Sequence, residues 1–194
     1  MGKKGLLILF FSFIMLSSNA QRAEMYFVTD NPISFDNSKF YLGWSSHPAP
    51  HYYLQEYFVE GESPDSFTRM FSINLIEANI TAEEAAQIKV AELDKRKASD
   101  KFCNYMIFHK DNEYILDFLV SDAKGNDYPT IIERDIHYYK KVTINQKSYI
   151  QLSFFTQRAS GDKMVPFINS IPDNREEKIT ELTEAKISIR EVRK

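Results

Sequence analysis

The sequence predicts an α+β domain in which two helices pack on an antiparallel sheet of about seven strands. Three observations lead to this prediction. Apolar and polar residues alternate with period two in several segments, a capping box starts a helix after Thr81, and the strand connections are too short for parallel crossovers. The predicted order is three strands, a helix, four strands and a helix. Because both helices have an apolar stripe, the sheet is the surface on which each can bury it.

The first three predicted strands precede residue 80. Residues 40–44 form a short apolar run, and residues 52–60 and 67–76 alternate as half-buried strands do. Turn-forming residues at 61–65 separate the second strand from the third. One face of the second strand carries Tyr52, Leu54, Glu56 and Phe58.

The first helix is predicted over residues 82–98. The Thr81 hydroxyl can accept a hydrogen bond from a first-turn N–H, and Glu84 can reach back to the Thr81 backbone. Small apolar residues recur at helical spacing, and basic residues at 95–97 suit the negative end of the helix dipole. The narrow stripe indicates close packing on a sheet.

Four further strands and a second helix follow. Strands are predicted at 102–109, 114–120, 131–144 and 149–157, with short turns between them. The second helix begins near residue 160 and is expected to end at Pro172, since proline interrupts a helix.

The chain divides into a signal peptide at 1–20, a single domain at 21–172 and a charged tail at 173–194. Lys3 and Lys4 precede an eleven-residue apolar run, and Ser18-Asn19-Ala20 resembles a signal-peptidase site. The run is too short to span a bilayer. Gln21 follows the cleavage site, where a lipoprotein would have cysteine, so we expect a secreted or periplasmic protein without membrane insertion after cleavage.

The charge and the single cysteine restrict the possible classes of function. Residues 1–20 carry two lysines and no acidic residue, so their removal changes the formal charge from −3 to −5. An acidic chain of this kind is not expected to bind nucleic acid. Cys103 cannot form an internal disulfide, and its apolar surroundings predict a buried thiol.

Aromatic residues and histidines cluster around the Pro48-Ala49-Pro50 turn. His47 and His51 are four residues apart, but the prolines forbid a helix that would bring them together on a metal ion, and no third ligand is adjacent. We therefore predict no metal site and a candidate contact surface. Its residues are Trp44, His47, His51, Tyr52 and Tyr53.

A second group of candidate residues shares one face of the strand at 131–144: Glu133, Asp135, His137 and Tyr139. A histidine beside a carboxylate can serve acid–base catalysis, but residues two apart on any strand are neighbours. We favour a solvated polar face, with a binding surface and catalysis as alternatives. Asp117 interrupts an apolar strand and is expected on the outer face of the sheet, opposite a lysine.

Two segments resemble the PsbP-like superfamily, which includes small bacterial envelope proteins. Residues 57–71 are similar to a glutamate-serine stretch followed by an aromatic residue and methionine, although Phe67 stands where tryptophan is usual. Residues 167–171 are similar to the last helix of that family. The resemblance implies an antiparallel sheet flanked by helices, and a domain that binds or assists another protein without catalysis.

The leading hypothesis is therefore a secreted, non-catalytic protein-binding or accessory module of the cell envelope, with no cofactor. No nucleophile elbow, phosphate-binding loop or zinc-protease motif occurs in the sequence. Two alternatives stay open: a periplasmic immunity protein that neutralises a secreted toxin, and a hydrolase or small-ligand binder with a pocket between helix and sheet.

Overall fold

A computed structural model describes residues 23–123, 127–185 and 187–193. The predicted signal peptide at 1–20 lies outside these residues. The fold is α+β with an antiparallel sheet and two helices, which confirms the predicted class. The main sheet has eight strands. They are β2 (Ile33–Phe35), β3 (Ser38–Ala49), β4 (Tyr52–Phe58), β5 (Arg69–Glu77), β6 (Asn104–Lys110), β7 (Glu113–Ser121), β8 (Ile131–Ile144) and β9 (Lys147–Ser160).

The spatial order of the main sheet is β2-β3-β4-β5-β9-β8-β7-β6. Two meanders, one before and one after the first helix, meet where β5 pairs with β9. The β8–β9 hairpin turns at Asn145 and Gln146, which both have positive φ and so match the twist of the flanking strands. The short strands β1 (Phe27–Val28) and β10 (Glu191–Val192) form a separate two-stranded sheet that the sequence analysis did not predict.

The two helices lie on opposite faces of the main sheet. Helix α1 (Ala82–Arg96) packs Ala82, Ala85, Ala86 and Leu93 against the face that carries Leu116 and Leu152. Helix α2 (Met164–Glu184) places Leu182 against the other face, which carries Phe71 and Phe155.

The prediction that the second helix ends at Pro172 is wrong. The helix continues through Pro172 to Glu184, and Leu182 is fully buried in the core. An internal proline removes one backbone hydrogen bond, but the contacts of Ile171, Arg175 and Leu182 with the sheet offset that loss. The helix therefore extends into the segment predicted as a charged tail.

The capping box at the start of α1 is present as predicted. The Glu84 N–H donates to the Thr81 hydroxyl at 3.1 Å, and the Thr81 N–H donates to the Glu84 carboxylate at 2.7 Å. These bonds satisfy backbone and side-chain groups at the helix terminus.

Replacing Thr81 with alanine is expected to lower the free energy of unfolding by about 1 kcal/mol, because the Glu84 N–H loses its acceptor. Urea denaturation monitored by circular dichroism measures this change. Thr180→Ala is the control, since Thr180 is exposed within α2. Equal stability of Thr81→Ala and the unmutated protein would contradict the assigned role of the cap.

Candidate functional site

The structure separates the predicted site residues into two groups. Trp44, His47, His51, Tyr52 and Tyr53 lie on or beside the β3–β4 hairpin. The other group lies on β8, under or beside α1. The two groups do not form one surface, because Asp135, His137 and Tyr139 of the second group are buried.

The expectation of a solvated polar face on β8 is wrong for three residues. Asp135, His137 and Tyr139 are each less than 10% exposed. They share the sheet face on which α1 packs, and the small residues of α1 allow the helix to lie close to them. These three side chains are therefore not available as a contact surface.

On the α1 side of β8, Asp135 and His137 each have a nearby hydroxyl or ring. Asp135 accepts a hydrogen bond from the Thr156 hydroxyl at 2.5 Å. His137 Nδ1 lies 2.9 Å from the Tyr139 hydroxyl, and its ring contacts Phe154. Burial raises the pKa of Asp135 well above its ordinary value and lowers the pKa of His137 well below its own. These contacts fit a buried polar network better than an acid–base pair open to substrate.

Glu133 lies at the margin of this network. Its carboxylate forms an ion pair with the Arg158 guanidinium, which also stacks over the Phe67 ring at 3.8 Å. Both charged side chains are about one quarter to one third exposed. Glu133 is therefore committed to a structural ion pair.

Asp117 is buried, whereas the sequence analysis placed it on the outer face of the sheet. It shares the α2 side of the sheet with Ile115 and accepts hydrogen bonds from Arg134 at 2.9 and 3.0 Å and from Arg175 at 2.7 Å. The correction has a physical reason: a bidentate guanidinium on the neighbouring strand satisfies a carboxylate that water cannot reach.

An open groove of about 580 Å³ lies at the closed end of the β3–β4 hairpin. We call it the histidine–proline groove. Its lining residues are His47, Pro48, Ala49, Pro50, His51, Tyr53, Glu77 and Lys147.

Stacking holds the histidine side of this groove in place. The His47 ring is parallel to the Tyr53 ring, with a centroid distance of 4.4 Å, and His47 Nδ1 lies 2.8 Å from the Tyr52 carbonyl oxygen. Tyr53 itself is only 8% exposed, so it supports His47 and contributes little surface of its own. The aromatic residues thus give the groove a rigid wall.

An ion pair also lines the histidine–proline groove. The Lys147 ammonium donates to the Glu77 carboxylate at 2.9 Å, and His51 Nδ1 lies 3.5 Å from that carboxylate. The hydrogen bond from Lys147 is the main cause that lowers the pKa of Glu77, and it also raises the pKa of Lys147. The groove therefore offers imidazole, carboxylate and ammonium groups beside an apolar proline turn.

Trp44 and Tyr52 lie on the other face of the same hairpin. Trp44 is 38% exposed and is paired directly with Glu56 on β4. The Tyr52 hydroxyl accepts a hydrogen bond from Asn74 Nδ2 at 3.0 Å. Burial raises the pKa of Glu56 to about 7, although the nearby Arg158 opposes this shift.

Sequence reasoning missed Glu56, Glu77 and Lys147 as site residues. Glu56 had a usable signal, because within Tyr52–Phe58 it is the only acid on a strand face otherwise made of aromatic and aliphatic residues. Glu77 and Lys147 meet through pairing of β5 with β9, which brings together residues 70 positions apart. No local sequence pattern indicates that contact.

Comparisons with known proteins place the chain in a family. One protein-family model matches residues 27–187, which run from β1 to just beyond α2. The chain belongs to that family. The match includes both the histidine–proline groove and the buried network on β8. No curated protein and no solved structure matches the chain.

Within 23–123, 127–185 and 187–193, no group of three or more histidine, cysteine, aspartate or glutamate side chains is arranged to hold a metal ion. Neither of the two helices in these segments is both long and apolar enough to cross a membrane.

Proposed function

We propose that the protein is a secreted, non-catalytic module that binds another protein through the end of the β3–β4 hairpin. The histidine–proline groove is the observation that carries this proposal. It is open, and an exposed turn of rigid prolines forms one side. A groove of this form suits a protein segment, because proline and aromatic residues lose little conformational entropy when a partner binds.

One further observation supports a binding role over a pocket enzyme, and another supports secretion. The polar residues between α1 and the sheet contact one another and buried rings, so that region is filled by side chains of the protein. The basic start, apolar run and small-residue site at residues 1–20 support secretion. The resemblance to PsbP-like envelope proteins stays part of this proposal, as does the envelope as the compartment of the partner.

Replacing Ala49 with arginine is expected to weaken partner binding by at least about tenfold, because a long charged side chain would fill the groove. The purified protein is immobilised and exposed to the envelope and secreted fractions of its source cells, and captured proteins are identified and quantified. Ala49 is exposed, so the substitution leaves the core unchanged.

Tyr128→Arg is the matched control, since Tyr128 is 93% exposed and lies in a different loop. It should capture the same partner as the unmutated protein. If Ala49→Arg also retains that partner at full affinity, the groove is not the binding surface. If no protein is enriched by any of the three, the binding function itself is wrong.

A further inference from the structure

A half-buried carboxylate without a partner lies on the sheet face opposite the histidine–proline groove. Glu56 is in the middle of β4, and its partial burial is the largest influence on the pKa of its carboxyl group. Among the described residues, its carboxylate has no hydrogen-bond or ion-pair partner. Burying a charged group in this way is unfavourable unless a ligand or partner supplies the missing interactions.

An exposed aromatic ring lies directly beside this carboxylate. Trp44 and Glu56 are opposite each other in the β3–β4 pair, so their side chains project from the same face. Directly opposite Cβ atoms are about 4.5–5.5 Å apart. A group bound to the Glu56 carboxylate is therefore within reach of the Trp44 ring, which is 38% exposed.

A second unsatisfied acceptor lies next to the pair. Asn74 is on β5 and only 5% exposed, and its Oδ1 has no hydrogen-bond partner among the described residues. Its Nδ2 donates to the Tyr52 hydroxyl, which fixes the orientation of the amide. Asn74 is paired with Leu54, so it is a diagonal neighbour of Glu56 on the same face. The amide oxygen is itself shielded from solvent, so Asn74 lies beneath the pair and the open acceptor beside the tryptophan is the Glu56 carboxylate.

The charged groups around Glu56 leave its carboxylate available. Arg158 on β9 is the cation whose field lowers the Glu56 pKa, but its guanidinium is paired with Glu133 and stacked on Phe67. On β4 itself, burial and, to a smaller extent, Glu56 raise the pKa of Tyr52 to about 12, which keeps that phenol protonated. Neither Arg158 nor Tyr52 therefore neutralises the Glu56 carboxylate by direct contact, and the carboxylate can accept hydrogen bonds from a bound group.

We propose that Trp44 and Glu56 form a subsite for the guanidinium of an arginine side chain presented by the protein partner. This rests on the proposed function, because it places the arginine on that partner. A guanidinium is planar, stacks on tryptophan and donates several hydrogen bonds in one plane. It can therefore donate hydrogen bonds to the Glu56 carboxylate while its face lies on the Trp44 ring. The acidic net charge of the chain favours the approach of such a cation.

The chain offers a direct reporter for this subsite, because Trp44 is its single tryptophan. The full protein is titrated with the capped peptide acetyl-Gly-Arg-Gly-amide while the tryptophan fluorescence is recorded. Peptides with citrulline or lysine in place of arginine are titrated in parallel. We expect a saturable change with the arginine peptide and an affinity at least about tenfold lower for the citrulline peptide, which has the same shape without the charge.

Glu56→Gln should weaken binding of the arginine peptide by at least about tenfold. Glu176→Gln removes the same charge from an exposed position on α2, across the sheet, and should leave binding unchanged. The affinity of the unmutated protein should also rise between pH 6 and pH 8 as Glu56 ionises, and Glu56→Gln should remove this dependence.

Three results would overturn the proposal: no saturable signal with the arginine peptide, equal binding of the citrulline peptide, or equal binding of the lysine peptide. None of them would refute the proposed protein-binding function, which is tested by capture of a partner at the histidine–proline groove. Conversely, binding of the arginine peptide without capture of any protein would support the subsite and refute the proposed protein-binding function.

Discussion

Replacing Asp117 with alanine is expected to destabilise the protein by about 3–5 kcal/mol, which is a large part of the stability of a single domain. The reason is the charge that the substitution leaves behind. Arg134 is 1% exposed, and two of its guanidinium nitrogens donate to the Asp117 carboxylate. Without Asp117, this buried cation keeps only the Asn174 oxygen as a described partner. Urea denaturation at pH 7, followed by circular dichroism, measures the change.

Two variants test whether the effect belongs to the buried pair. Asp173→Ala removes an exposed carboxylate from α2 and should change stability by less than about 0.5 kcal/mol. Arg175→Ala removes the partner that is 30% exposed, so its effect should be smaller than that of Asp117→Ala. A loss below about 1 kcal/mol for Asp117→Ala would show that Arg134 finds water or another acceptor, and the assigned role of the pair would be wrong.

Local patterns were sufficient to predict most of the regular structure. The alternation at 131–144 predicts β8 with its observed bounds, and the Thr81 capping box predicts the start of α1. These features depend on residues close in sequence. The end of α2 does not, because the buried contacts of Leu182 with distant strands outweigh the local effect of Pro172.

The candidate site was predicted less completely, because polar side chains have the same local pattern in water and under a helix. His137 and Asp135 alternate with apolar residues on β8 as exposed residues would. Only the position of α1 decides that they are buried, and that position depends on tertiary packing. The β3–β4 hairpin was easier to predict as a surface, since the prolines and histidines between 47 and 51 can form neither a helix nor a buried strand.

Among the residues that the structure describes, Glu56 differs from Asp117 and Asp135 in having no hydrogen-bond or ion-pair partner. Asp117 has two arginines and Asp135 has the Thr156 hydroxyl, so each belongs to a satisfied network. A group that lowers stability without such compensation is typical of binding sites, where function and stability have opposite requirements. The effect of the Glu56 charge on the free energy of unfolding can be measured without any knowledge of the partner.

Replacing Glu56 with glutamine is expected to stabilise the protein by about 2–3 kcal/mol at pH 8. Burial raises the pKa of Glu56 from its ordinary value of 4.5 to about 7. The folded state therefore holds this proton more tightly than the unfolded state, and its stability falls as the pH rises from 4.5 to 7. Above pH 7 the full penalty is present, whereas below pH 4.5 the carboxyl is neutral in both states. Glutamine removes the charge at every pH while it keeps the size of the side chain.

Urea denaturation of both proteins at several values between pH 4.5 and pH 8 measures this difference. The gain should be largest at pH 8 and should nearly vanish at pH 4.5, whereas Glu176→Gln should change stability little at either pH. The same Glu56 substitution should weaken arginine-peptide binding, so stability and binding must change in opposite directions. A Glu56→Gln variant that is less stable at pH 8 would mean that the carboxylate has a stabilising partner, and the subsite would then have no unsatisfied charge to offer a guanidinium.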